Sequence, residues 1–308
     1  MQTALIIFNQ VLIMFLLMAV GYLCTKTNLI SETGGKELSS LLITVISPVI
    51  IINSYLRPFD KELLIKFGWA TLLSIGIHIL SIVVSTIVFR DDPQRTFPPL
   101  RMCSVFSNSG FMAIPLITAV FGMEGVFIGS AYITVMNAFS WTYGVYLMTG
   151  DKKMISLKKA IVNPATIGVL IGLVIFCFNI ALPDTVVKTI GYLSNLNTPL
   201  AMVVMGTFVA RADLPNALKN AATYKVAALR LVIIPALVIG IFCLIPLDST
   251  ILMTILLSSS CPSAIAGMMF AAKFGGDFKT SSALIAITTL LSVITMPIVV
   301  SISTALWG

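Results

Sequence analysis

The chain has 308 residues, of which 58% are hydrophobic and only 10% are Asp, Glu, Lys or Arg, with a formal net charge of +7 and a mean hydropathy of +1.04. Soluble domains are about 45–50% apolar and about 25% charged, so surface chemistry alone excludes a soluble enzyme or a nucleic-acid-binding domain. The length suffices for about ten membrane-spanning helices of roughly 20 apolar residues each.

Apolar runs separated by charged or turn-rich segments predict ten spans, at about 5–25, 38–56, 67–89, 101–121, 125–148, 162–179, 189–209, 223–245, 250–272 and 280–305. The first has no positive residue ahead of it and no small-residue cleavage site in Cys24-Thr25-Lys26-Thr27, so it reads as a retained helix rather than a signal peptide. Spans two and seven carry Pro48 and Pro199, expected to curve their helices. Span three holds His78 and span eight Arg230, the two ionisable residues placed inside the membrane. Each has a bland reading: His78 as a neutral hydrogen-bonded residue, Arg230 as a snorkelling anchor. In functional readings, Arg230 attracts an anion or pins an unwound carbonyl, and His78 titrates. Asn137, Trp141 and Tyr143 give span five a polar, aromatic stripe suited either to helix packing or to substrate contact. Asn163-Pro164 opens span six as a capping residue with proline in the first turn. The five cysteines lack metal-ligand spacing and read as small buried hydrophobes, and with a single His in the chain no metal site, cofactor or catalytic constellation can be assembled.

Orientation follows from the basic residues. Alternate loops, starting after the first span, hold Lys26, Lys36, Arg90, Arg95, Arg101, Lys152, Lys153, Lys158, Lys159, Arg211, Lys219, Lys225, Lys273 and Lys279; the opposite loops hold Arg57, Lys61, Lys66 and Lys188. This asymmetry puts both termini outside the cytoplasm. The sequence also repeats weakly. Gly21, Asn28 and Ser47-Pro48 match Gly172, Asn179 and Thr198-Pro199 at an offset of 151, and Phe121-Gly122-Met123-Glu124 matches Phe274-Gly275-Gly276-Asp277 at 153. Five spans per half, 1–150 and 151–308, make the second copy inverted, an architecture of transporters with the site at the repeat interface.

Spans four and nine are poor as continuous helices. Phe106-Ser107-Asn108-Ser109-Gly110-Phe111-Met112-Ala113-Ile114-Pro115 and Ser258-Ser259-Ser260-Cys261-Pro262-Ser263-Ala264-Ile265-Ala266-Gly267 put hydroxyls, glycine and proline at bilayer depth. Proline removes a backbone donor, and unwound backbone in a membrane survives only when packed in protein or lining a wet cavity. A broken helix presents N–H groups and a positive dipole end to an anion; Asn108, Ser109, Ser260 and Ser263 add donors. With no Asp or Glu deep in any span, such a site suits a small organic anion.

These residues resemble the auxin efflux carrier family, which includes plant PIN-formed carriers and bacterial malonate and malate permease-like proteins. The segment from Asn108 to Pro115 followed by Phe121-Gly122 is similar to the family's first crossover. Asn163-Pro164 with Ile171-Gly172-Leu173, Leu229-Arg230-Leu231 with Pro235, and Pro262-Ser263-Ala264 followed by Ala271-Ala272-Lys273-Phe274-Gly275-Gly276-Asp277 follow in order. The resemblance implies a scaffold of spans 1, 2, 6 and 7, a mobile domain of spans 3–5 and 8–10, unwound helices crossing around Pro115 and Pro262, an elevator-type movement and a homodimer. Asn108 matches the crossover Asn that contacts the substrate carboxylate in the plant carriers. A plant-type Asn after Asn163-Pro164 is replaced by Ala165, and the long cytoplasmic loop is missing, which indicates a bacterial-type member. The expectation is therefore a multi-pass transporter of mono- or dicarboxylates, with Asn108, Ser109, Gly110, Pro115, Asn137, Tyr143, Ser260, Pro262, Ser263 and Arg230 at the site; the rival is a sodium symporter of the related bile-acid type.

Overall fold

The computed structural model describes residues 2–90, 97–274 and 276–308; Arg95 and Gly275 lie outside the described residues. Among those residues the chain is helical, with no strand. Its helices are α1 (Gln2–Lys26), α2 (Glu32–Tyr55), α3 (Lys61–Val88), α4 (Pro98–Val105), α5 (Ser109–Thr149), α6 (Pro164–Cys177), α7 (Asp184–Arg211), α8 (Ala221–Phe242), α9 (Ser249–Ser260), α10 (Ala266–Phe274) and α11 (Phe278–Trp307). Short helices Leu157–Ile161 and Leu214–Leu218 lie in connections. Seven of the described helices are long and apolar enough to cross a membrane, and α6 and α9 are shorter apolar helices.

Spans four and five differ from expectation in how they are joined. The second part of span four runs into span five as the single 41-residue helix α5, bent at Gly122. Gly122 has φ 59 and ψ −151, a backbone conformation open to glycine and strained for any side chain. Arg101, counted in a loop from sequence, sits inside α4 with its side chain buried and Nε donating to the Phe89 carbonyl at 2.7 Å.

Proline shapes three helices by one device. Wide π-turns at Leu42–Ile46, Ser109–Ala113 and Leu229–Ile233 each end two residues before a proline, Pro48, Pro115 or Pro235. In an α-helix the proline ring would press on the carbonyl four residues back and leave it without a donor. The wide turn moves the bond one residue along, so that Ser47, Ile114 and Ile234 N–H donate to the carbonyls of Leu42, Ser109 and Leu229. Pro199 is accommodated differently, in the first turn after an interruption of α7 at Leu196.

The bundle is held by close helix approach. A Cβ on Gly21 would stand 2.1 Å from the Val203 carbonyl oxygen, and one on Gly206 2.1 Å from that of Met18, so α1 and α7 touch backbone to backbone. Likewise Gly168 lies against Pro48 and Gly172 against the Tyr55 ring, seating α6 on α2. The opposite side of α1 exposes Leu12, Leu16 and Leu23. Small residues let helices approach where lipid offers no hydrophobic drive to associate. Asn28 and Asn179, the repeat-matched pair, are the two described non-glycine residues with positive φ, at 59 and 49. One follows the end of α1 and the other the end of α6, and Asn tolerates that left-handed conformation.

Contacts between connections sort the two ends of the bundle. Lys66 Nζ lies 3.4 Å from both Glu124 and Asp248, gathering the starts of α3 and α9 with the Gly122 bend. Burial pushes the Asp248 carboxyl up, but the Lys66 ammonium and the hydrogen bonds from Thr250 outweigh it and hold it below the usual carboxylate range. Elsewhere Arg211 Nη2 donates to the Ile30 carbonyl at 2.9 Å, joining the ends of α7 and α1. Of the cysteines, all free, Cys103 and Cys261 are buried as expected, whereas Cys24 is half-buried and Cys177, the last residue of α6, and Cys243, the first after α8, are exposed.

The glycine contacts set a test. Gly21→Leu or Gly206→Leu forces α1 from α7 and lowers stability by about 1–3 kcal/mol or more. Gly68→Leu and Gly76→Leu, where nothing lies within 4 Å, leave it unchanged; thermal unfolding in detergent followed by size exclusion distinguishes the pairs.

Candidate functional site

Two interrupted stretches meet. α4 ends at Val105 and α5 starts at Ser109; between them Phe106 is extended (φ −96, ψ 125). α9 ends at Ser260 and α10 starts at Ala266, with Cys261 extended (φ −59, ψ 153). Ser107 and Ser263 form an antiparallel bridge: the Asn108 N–H donates to the Pro262 carbonyl at 2.7 Å and the Ala264 N–H to the Phe106 carbonyl at 2.9 Å. The Ser263 N–H donates to Thr288 Oγ1 at 3.2 Å and its hydroxyl to the Cys103 carbonyl at 2.7 Å. Unwound backbone at this depth has no water to bond, so each stretch serves as the other's partner.

This pairing corrects two expectations. The amides of Asn108, Ser263 and Ala264 are spent within the protein. What remains at the start of α5 are its first N–H groups, which have no intrahelical partner. The break in span four also lies at residues 106–108, not at Pro115, because the π-turn ahead of that proline keeps the helix continuous through it.

Arg230 occupies the rear of the junction. Its side chain is fully buried; Nε donates to the Cys261 carbonyl at 2.9 Å, and Nη1 to those of Ser104 at 3.2 Å and Val105 at 3.1 Å. These carbonyls end α4 and α9, where the helix dipole favours a cation. The planar fork of guanidinium reaches both helix ends at once. Of the sequence readings, the structure therefore matches the pinned carbonyl, and Arg230 stands behind the cavity wall. His78 is buried in an aromatic box, 4.9 Å from Tyr132, 5.3 Å from Phe139 and 6.2 Å from Phe106 between ring centroids. Its Nδ1 is 2.7 Å from the Ser74 carbonyl; since a carbonyl only accepts, Nδ1 carries the hydrogen. Nε2 is buried without a partner.

In front of the junction lies a cavity of about 170 Å³. Asn108, Gly110 and Phe111 line it from the first break, Ala264, Ile265 and Phe270 from the second, and Asn137, Ser140 and Trp141 from the far part of α5. Asn108 stands at the N-cap position of α5 but makes no capping bond. Its amide instead turns to Met205, Nδ2 donating to the sulfur at 3.3 Å, a weak acceptor. A side chain on Gly110 would meet nothing within 4 Å. Asn137 Nδ2 donates to Asn163 Oδ1 at 3.3 Å, and Asn163 also caps α6 through the Ala165 N–H at 3.0 Å.

The remaining expected residues are set apart from the wall. Ser109 is buried with its hydroxyl 3.4 Å from Met136 sulfur, and Ser260 Oγ is buried without a partner. Pro262 and Ser263 belong to the bridge, and Tyr143 lies half-buried on the π-turn Ser140–Gly144. Sequence reasoning missed Ser47 and Phe270, and took Asn163 for a cap alone; it is both cap and wall. No local signal marks Ser47 or Phe270, since facing a cavity depends on how helices pack. A wider vestibule of about 510 Å³, bordered by Lys36, Glu32 and Arg211, shares Ile43, Ile265 and Met269 with the inner cavity and opens at the surface.

Polar breaks sealed between apolar helices, beside a cavity reached through a vestibule, are the construction of a membrane transport protein. The chain belongs to the family described as membrane transport protein, whose model matches residues 6–300, and the resemblance to auxin efflux carriers is borne out by that match. Similar proteins include an uncharacterized transporter of Methanocaldococcus jannaschii, 26% identical over 97% of each chain. Another, of Methanothermobacter thermautotrophicus, is 26% identical over 94% of this chain and 96% of its own. The uncharacterized transporter YfdV of Escherichia coli is 21% identical over 96% and 97%. The family is one of transporters rather than enzymes.

Arg230→Met leaves three buried carbonyls without this donor and lowers stability, at about 1–3 kcal/mol for each buried acceptor left unmade. Arg230→Lys, with a single point of donors in place of a fork, recovers only part of it; thermal unfolding of the purified protein measures both.

Proposed function

We propose that this chain is a secondary transporter of small organic anions, mono- or dicarboxylates, working by alternating access without chemistry on the substrate. The observation that carries the reading is Asn108: a buried amide at a helix start, uncapped, held only by a thioether and facing the cavity beside Gly110. Helix-start N–H groups and an amide donor without any carboxylate in the wall fit a carboxylate headgroup. Ten spans arise by counting α4 with residues 109–121 and α9 with α10 as two broken helices. Inverted halves, 1–150 and 151–308, are supported by the paired left-handed asparagines and by α1 on α7 mirrored in α6 on α2. In this reading spans 1, 2, 6 and 7 form a scaffold, spans 3–5 and 8–10 move against it as an elevator, two copies associate as a homodimer, and both termini lie outside the cytoplasm.

The sodium-coupled alternative is disfavoured by Arg230. Three of the carbonyls at the two breaks, those of Ser104, Val105 and Cys261, already receive hydrogen bonds from a resident guanidinium in place of an alkali cation. Efflux of an anion from a negative-inside cell needs no coupling ion, as it releases about 2.3 kcal/mol per charge per 100 mV.

Proteoliposomes given labelled malonate, malate, indole and lysine-like acids, with and without sodium and proton gradients, test the reading. Sodium-independent counterflow of one of the acids is expected, and movement of none of them rejects it. Asn108→Ala should weaken apparent affinity about tenfold or more, the worth of a hydrogen bond to a charged group, with normal expression and insertion. Full transport in that variant would remove Asn108 from the site.

A further inference from the structure

The inner cavity has no cation in its wall, yet two lie against the ring of one of its aromatic residues. Trp141 lines the cavity. Lys159 Nζ lies 5.7 Å from its ring centroid and Lys273 Nζ 5.3 Å. The lysines arrive from separate parts of the chain, one from the short helix Leu157–Ile161 and one from the last turn of α10. Among the described residues neither is in an ion pair with a carboxylate, and both are exposed. Phe270 packs edge-on to Trp141 at 5.1 Å and lines the same cavity. A ring face holds an ammonium by its quadrupole without neutralising it, so two uncompensated charges are concentrated on one indole at the cavity's edge.

We propose that Lys159 and Lys273, gathered on Trp141, form the anion-attracting mouth of the inner cavity. Their field raises the local concentration of a small anion next to the wall, while the cavity itself selects with neutral donors. An interior cation would bind a carboxylate tightly and slow its departure; a cation one ring outside attracts without trapping. The mouth's service to transport rests on the organic-anion reading above, whereas the local potential does not.

The test uses the full chain in detergent with Trp141 as its sole tryptophan, through Trp69→Phe and Trp307→Phe. Its fluorescence is quenched with iodide and, separately, with neutral acrylamide. Lys159→Gln with Lys273→Gln should lower the iodide quenching constant about threefold at low salt, with the difference fading at high salt, as expected for a screened field. Acrylamide quenching should not change, and Lys159→Arg with Lys273→Arg should restore the iodide value. Equal iodide quenching with and without the lysines, or no rescue by arginine, overturns the proposal. In proteoliposomes the same double Gln variant should raise KM for the transported acid and leave kcat unchanged. If iodide quenching falls as expected while the parent protein carries none of the acids, the mouth stands and the transport reading falls.

Discussion

Everything in this bundle depends on how a few unwound residues meet their hydrogen-bonding needs without water. Leaving a buried donor or acceptor unmade costs about 1–3 kcal/mol each, and two broken helices inside an apolar bundle expose several. The short antiparallel bridge between Ser107 and Ser263 answers for the amides, and Arg230 answers for the carbonyls at the ends of α4 and α9. Between them the junction is locked from two sides, by backbone in the middle and a guanidinium behind. Only its front, where Asn108 and Gly110 look into the cavity, stays open to a ligand.

Much of this was legible in the amino-acid order. Composition identified a multi-pass membrane protein, and the clusters of Ser, Asn, Gly and Pro located both interruptions to within a few residues. The offset of 151 picked out Asn28 and Asn179, which share a left-handed backbone, and Gly21 and Gly172, which share close helix contacts. Proline was the misleading signal. Its effect on the helix is read from sequence as a break, but a turn widened by one residue absorbs it at Pro115, as at Pro48 and Pro235. The pairing of amides across two distant stretches was also out of reach, because it depends on tertiary placement and not on local preference. So was the choice among the three roles foreseen for Arg230, which was decided by the carbonyls of residues more than a hundred positions away in one direction and thirty in the other.

The division of labour in the molecule follows from its solvent. Where helices touch one another, glycine lets backbones meet, as with Gly21 and Gly206; where they face lipid, large aliphatic residues are indifferent to exact shape. Polar groups concentrate at the junction and the cavity, where irregular backbone is tolerated because protein surrounds it. Apart from Arg230 at the junction, charge gathers at the ends: the Lys66, Glu124 and Asp248 cluster at one, and the lysines on Trp141 near the other.

The widened turns before the prolines carry a further consequence. Each amounts to one residue inserted into an otherwise α-helical path, and one residue rotates everything beyond it by about 100° around the axis. Ile114, which lines the cavity one residue past the turn, is thus phased by the extra residue at Ser109–Ala113, and that phase runs as far as the bend at Gly122. Chain length in that stretch is under the same constraint as residue identity: a one-residue deletion there would leave Ile114 in the sequence and turn it away from the cavity.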